Sequence, residues 1–126
     1  MTPAAATGKK RVLIIEDERP LAHALELKLS HEGYETTIAG NGKEGCEKAV
    51  AEKFDLILLD LILPEMDGFA VLQELHAKKI KTPVIVLSNL GQDEDRKKAK
   101  ELGVVDYLVK SNAPLAQIVI LVKSVL

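Results

Sequence analysis

The chain has 126 residues, of which 47% are hydrophobic and 29% charged, with a formal net charge of -2. That is the length and balance of one soluble globular domain able to bury a core of sheet and helices, and no internal repeat, low-complexity tract or second domain is visible. The near-neutral charge gives no global pull toward nucleic acid or an anionic membrane.

The opening Met1 to Lys10 stretch lacks the apolar centre of a signal peptide, so residues 1–9 are expected to be a flexible tail and residues 10–126 the domain. No later apolar run approaches the roughly 20 residues of a membrane span, which predicts a cytoplasmic protein that does not enter the bilayer. Strands are expected over Arg11 to Glu16, Glu35 to Ala39, Phe54 to Leu61, Pro83 to Ser88 and Asp106 to Lys110. Val12 to Ile15, Leu56 to Leu59 and Val84 to Leu87 are apolar at every position, the pattern of a parallel sheet covered on both faces. Helices fill the intervals. Pro20 suits a first helical turn, and Gly33 ends that helix. Asn41 with Glu44 three residues on resembles a capping box. A third helix runs from about Phe69 to Lys79, with Lys81-Thr82-Pro83 blocking its continuation. Asp93-Glu94-Asp95 before Arg96, Lys97, Lys98 and Lys100 complements the dipole of a fourth helix that Gly103 ends. The fifth spans about Pro114 to Leu126. Cys46, the only cysteine, falls in the second helix with no other thiol to pair or to build a metal motif, so a structural role is expected. Five βα units with right-handed crossovers imply an α/β fold, an open doubly wound parallel sheet with helices on both faces.

Ligand sites in such sheets lie beyond the carboxyl ends of the strands, near the point where strand order reverses. That rule picks out Glu16 and Asp17, Asp60, Ser88 and Lys110 from four separate segments. Carboxylates gathered there repel one another unless a cation or a shared proton lies between them. The set suits phosphoryl transfer to a carboxylate. Asp60 is the expected nucleophile, Asp17 and Asp60 the ligands of a hard divalent ion, and Glu16 a ligand through water. Mg2+ is the expected ion, with Mn2+ an alternative. Lys110 would pair with one phosphoryl oxygen and Ser88 would donate to another.

Glu16-Asp17, Asp60 with Pro64, Asp67 and Gly68, Ser88, Tyr107 and Lys110, in this order and over nearly the whole chain, resemble the receiver domains of two-component response regulators. The resemblance implies a five-stranded flavodoxin-like sheet of order 2-1-3-4-5 with five helices. It implies a phosphoacceptor signalling switch rather than an enzyme, in which Asp60 takes a phosphoryl group from the phosphohistidine of a histidine kinase or phosphotransfer protein, or from acetyl phosphate. The backbone carbonyl of Ile62 would join the metal's ligands. Ser88 would move toward the phosphoryl group and Tyr107 would swing inward, remodelling the face of the fourth helix, fifth strand and fifth helix for a partner or a homodimer, without direct nucleic-acid contact by this domain.

Some residues depart from that pattern. Glu16 replaces the commoner aspartate, Asn89 follows Ser88 in place of a small residue and is expected to slow phosphorylation, and Ser111 replaces the proline after Lys110, predicting a trans peptide there. Ile62 and Leu90, two residues past Asp60 and Ser88, cannot orient water, which predicts a long-lived phosphoryl group. Other positions read as structural. Pro64 and Asp67-Gly68 shape a loop and start a helix. Glu18 is expected in solvent, as are His23, His31, His76 and the Lys97, Lys98, Lys100 group. Leu115, Ile118, Val119, Val122, Val125 and Leu126 share one face of the last helix, leaving Ile120 and Leu121 as a candidate contact surface. A haloacid-dehalogenase-type phosphatase would need an acid where Ile62 stands, and a flavodoxin-like carrier a Ser/Thr/Gly-rich loop where Glu16-Asp17-Glu18 stands. A non-phosphorylated pseudo-receiver that binds partners is the remaining alternative, and both a stand-alone receiver and a fragment of a longer protein stay open.

Overall fold

Successive side chains of a strand point to opposite faces, so a run with no polar interruption must be covered on both. The computed structural model describes residues 8–89 and 93–126 and covers them in this way. In chain order the elements are β1 (Arg11–Ile15), α1 (Arg19–His31), β2 (Glu35–Ala39), α2 (Gly42–Ala51), β3 (Leu56–Leu59), α3 (Gly68–Ala77), β4 (Val84–Ser88), α4 (Asp93–Glu101), β5 (Asp106–Val109) and α5 (Leu115–Val125), with a 3-10 turn over Lys110–Asn112. All four strand pairings are parallel, in the order β2-β1-β3-β4-β5. One face of the sheet presents Leu13, Ile15, Ile57, Leu59, Val84 and Val86 to Cys46 and Ala49 of α2, Val71, Leu72 and Leu75 of α3, and Ala99 of α4. The other presents Val12, Ile14, Leu56, Leu58, Ile85 and Leu87 to Ala22, Leu25 and Leu29 of α1 and Ile118, Val119 and Val122 of α5. Among the described residues no helix is long and apolar enough to cross a membrane.

The helix ends follow their capping chemistry. The Asn41 side chain accepts from the Glu44 N–H at 2.8 Å, while the Glu44 carboxylate reaches the Gly40 N–H at 3.4 Å, one residue short of a full capping box. Asp67 caps α3 by accepting from the Ala70 N–H at 2.9 Å. Gly103, at φ +86°, ends α4. Four strands are shorter than expected, β1 by Glu16 alone. β3 gives up Phe54, Asp55, Asp60 and Leu61, because Asp55 turns its carboxylate to the Arg11 N–H at 2.8 Å and Asp60 folds its own onto the Ile62 N–H at 3.0 Å. β4 starts after Pro83, which has no N–H to donate. β5 stops before Lys110, which opens the 3-10 turn. The last helix corrects one expectation. Leu121 is half-buried against the α1 side of the core, leaving Ile120 alone exposed, at 67%. Residues 1–7 of the expected tail, and Leu90, lie outside the described residues.

Strand order reverses between β1 and β3, which diverge to opposite sides of the sheet. The crevice outside their carboxyl ends is therefore the place to look for chemistry.

Candidate functional site

Glu16 and Asp60 each sit one residue past an apolar strand and remain tied to it. The Glu16 N–H donates to the Ala39 carbonyl and the Asp60 N–H to the Ile15 carbonyl, both at 3.0 Å. Their backbones thus continue the ladder while the side chains leave the apolar layer. Gly68 sets the back wall. A Cβ there would lie 2.4 Å from Leu61 Cα and 2.6 Å from the Asp60 carbonyl, so only glycine lets the start of α3 press against the segment that carries Asp60. The Gly68 N–H donates to the Leu61 carbonyl at 2.8 Å and fastens that contact.

Lys110 reaches this crevice from the end of β5. Its Nζ lies 2.7 Å from Asp60 Oδ2, 2.7 Å from Glu16 Oε1 and 2.7 Å from Glu18 Oε2. Asp60 and Glu16 are buried, at 5% and 3% exposure, whereas the Glu18 side chain is 59% exposed. The remaining oxygens also have partners, Asp60 Oδ1 accepting from the Ile62 N–H at 3.0 Å and Glu16 Oε2 from the Glu18 N–H at 3.1 Å. Asp17, Glu18, Asp60, Ile62, Asn89 and Lys110 line an open cleft of about 240 Å³. Larger depressions exist, such as that of about 640 Å³ between α2 and α3 beside Cys46 and Met66, but no buried acid opens into them.

Electrostatics marks the cleft as short of positive charge. Burial, then the nearby Asp60 charge, pushes Glu16 up to about 7 against the opposing Lys110 and Glu18 N–H contacts. Burial alone would lower Lys110, but its hydrogen bonds to Asp60, Glu16 and Glu18 outweigh this and hold it protonated. Carboxylate oxygens of Glu16, Asp17 and Asp60 lie within 4.8 Å of one another, the one such grouping among the described residues. An all-oxygen donor set with one exposed member suits a small hard cation that keeps part of its water, so these residues fit Mg2+.

The structure brings together Glu16, Asp60 and Lys110 in direct contact, with Asp17 and Ile62 on the same cleft. Ser88 is different. It is fully buried at the end of β4, its neighbour Asn89 rather than Ser88 itself lines the cleft, and its hydroxyl hydrogen-bonds the Tyr107 phenol. Tyr107 is already turned inward, 7% exposed, with the Arg96 guanidinium 5.2 Å from its ring centre. Burial, above all, raises its pKa. An inward swing therefore has no starting point in this conformation, because the core already accepts the ring. The peptide after Lys110 is trans, as Ser111 predicts, and the 3-10 turn still aims the ammonium at Asp60. Glu18 is mostly exposed, as expected, but its contact with Lys110 is the feature of the site that the sequence reading missed. The signal available was its place two residues beyond Glu16 on the same acidic run.

A family model described as the response regulator receiver domain matches residues 12–122. The chain belongs to the response regulator receiver domain family. Among curated relatives, this receiver domain is 39% identical over 100 residues to the response regulator ArlR of Staphylococcus saprophyticus, a match covering 79% of this chain and 45% of that protein. The chain spans less than half the length of the curated relatives it matches. Among solved structures it is similar to the Francisella response regulator 1452 receiver domain, at a TM-score of 0.87 and 31% identity over 93% of this chain and 96% of that one. It is also similar to the response regulator TrrA of Thermotoga maritima, solved in complex with Mg2+-BeF, at a TM-score of 0.80 and 31% identity over 93% and 99% of the two chains.

Proposed function

We propose that this receiver domain is a phosphoacceptor switch in which Asp60 takes a phosphoryl group from the phosphohistidine of a histidine kinase or phosphotransfer protein. The observation that carries the reading is the Lys110 ammonium 2.7 Å from Asp60 Oδ2, in a cleft that also gathers Glu16 and Asp17. An Asp60 carboxylate oxygen forms the bond to phosphorus as the donor's N–P bond breaks, and the electron pair leaves with the imidazole, which recovers a proton. Lys110 neutralises a transferring phosphoryl oxygen. Glu16, Asp17, Asp60 and the Ile62 carbonyl would hold Mg2+, which when bound offsets the charge that builds on the phosphoryl oxygens. The TrrA structure with Mg2+-BeF supports the same assignment by similarity.

The product carries about -1.5 to -2 charges where one carboxylate stood. Ser88, buried at the end of β4, is the hydroxyl we propose answers it, by leaving Tyr107 for the phosphoryl group. We therefore place the conformational response in that bond: freeing the Tyr107 phenol loosens β5 and α4, which Arg96 joins to the same ring. The α4-β5-α5 face is the surface offered to a partner or a second copy. A near-complete shift asks the phosphoryl group to favour the rearranged state by about 5.5 kcal/mol. Ile62 at the cleft mouth cannot orient an attacking water, so the acyl phosphate is expected to be long-lived; loss of the label within seconds without a phosphatase would contradict this.

Incubation with Mg2+ and acetyl phosphate followed by intact mass tests the reading. A phosphate-sized gain that disappears with chelator and with Asp60→Asn is expected. No gain, also from phosphohistidine donors, would leave a pseudo-receiver that works by contact alone.

A further inference from the structure

An ammonium group has three protons to donate, and Lys110 spends all of them on carboxylates: Asp60 Oδ2, Glu16 Oε1 and Glu18 Oε2, each at 2.7 Å. A phosphoryl oxygen arriving at Asp60 needs one of those protons, so one carboxylate must yield. Asp60 and Glu16 are almost fully enclosed, and an enclosed carboxylate left without its counter-charge is costly. Glu18 is mostly in water and can turn away with its charge still hydrated. It also has no competing local duty. Although it stands at the N-cap of α1, its side chain caps nothing, and the helix is joined to it only through the Glu18 carbonyl, which accepts from the Ala22 N–H at 3.0 Å.

We propose that Glu18 is a positioning residue that occupies the Lys110 proton destined for the incoming phosphoryl group, and so restrains the rate at which Asp60 is phosphorylated. The inference rests on the function proposed above and adds a rate-setting element to it. The resting cleft keeps Lys110 aimed and its charge compensated, and the donor's phosphoryl oxygen replaces Glu18 Oε2 as the third acceptor.

Labelling rates by acetyl phosphate, measured over a concentration series in saturating Mg2+, test this with the wild type, Glu18→Ala and Glu18→Asp. Alanine removes the acceptor without removing a helix cap. Aspartate keeps the charge at the cleft mouth but is one methylene too short for Lys110. Both variants are expected to label roughly two- to fivefold faster than the wild type, with the gain in the limiting rate and retained at high salt, while thermal midpoints stay close to wild type. Wild-type rates in both variants would overturn the inference while leaving Asp60 as acceptor. A gain in alanine alone that salt abolishes would also overturn it, since that is simple repulsion of an anionic donor. Failure of every chain to label would overturn the proposed function and this inference with it.

Discussion

Lys110 and Asp60 touch each other, yet their removal should have opposite effects on stability. Lys110→Met leaves Glu16 and Asp60 buried with no counter-charge, so a loss of about 3–5 kcal/mol is expected in urea denaturation, together with loss of labelling. Asp60→Asn instead removes one of two buried like charges and leaves Glu16 its lysine, so the variant should be as stable as the wild type or more so. A destabilised Asp60→Asn would show that the pair is held for stability rather than for chemistry. Glu16 supplies the pH dependence. Its carboxyl is raised from 4.5 to about 7 by burial first, so between those values the folded chain binds the proton more tightly than the unfolded chain does. Stability from this group is full below about pH 4.5 and is lost as pH rises through 7. Without Mg2+, the urea midpoint of the wild type should fall relative to that of Glu16→Gln between pH 5 and pH 8; parallel profiles would contradict the assignment.

At the scale of elements, the site depends on how closely α3 approaches β3. Gly68→Ala would put a methyl group 2.4 Å from Leu61 Cα, against backbone that cannot step aside. A cost of about 1–3 kcal/mol is expected by denaturation, with slower labelling because Asp60 moves with Leu61. Asp67→Ala, which loses only the cap to the Ala70 N–H, should cost about 1 kcal/mol and leave labelling near wild type. The order of elements was legible because strand and helix periods alternate cleanly and Asn41, Asp67, Pro83 and Gly103 mark their limits. The strand ends were not, because Asp55 and Asp60 bend back onto nearby N–H groups, a choice that hydropathy does not encode. Leu121 was misplaced for a similar reason. A helical wheel drawn for α5 alone omits the apolar sheet face, against which Leu121 is partly buried. Glu18 shares the acidic run with Glu16, but it stands beyond the strand end, at the N-cap of α1, so the strand-end rule that gathered Glu16, Asp60 and Lys110 did not assign it to Lys110. Arg11 was also unremarked, yet at the opposite end of the sheet it pairs with Glu52 at 2.5 Å and stacks 4.7 Å over Phe54.

For the molecule as a whole, the parallel sheet explains why acids and amine meet at one edge. Parallel strands all end on the same side, so residues that follow four separate strands are collected without any local signal linking them. The same topology places Ser88 and Tyr107 on adjacent strands β4 and β5, where a change at the acid cleft can reach the α4 side of the domain. What matters most is whether the carboxylate of Asp60 is the atom that takes the phosphoryl group. Peptide mapping of the labelled protein, before and after hydroxylamine, asks this directly. The account predicts a single phosphate on the peptide containing Asp60, removed by hydroxylamine as an acyl phosphate must be. A hydroxylamine-stable phosphate, or one on Ser88 or on any histidine, would contradict it.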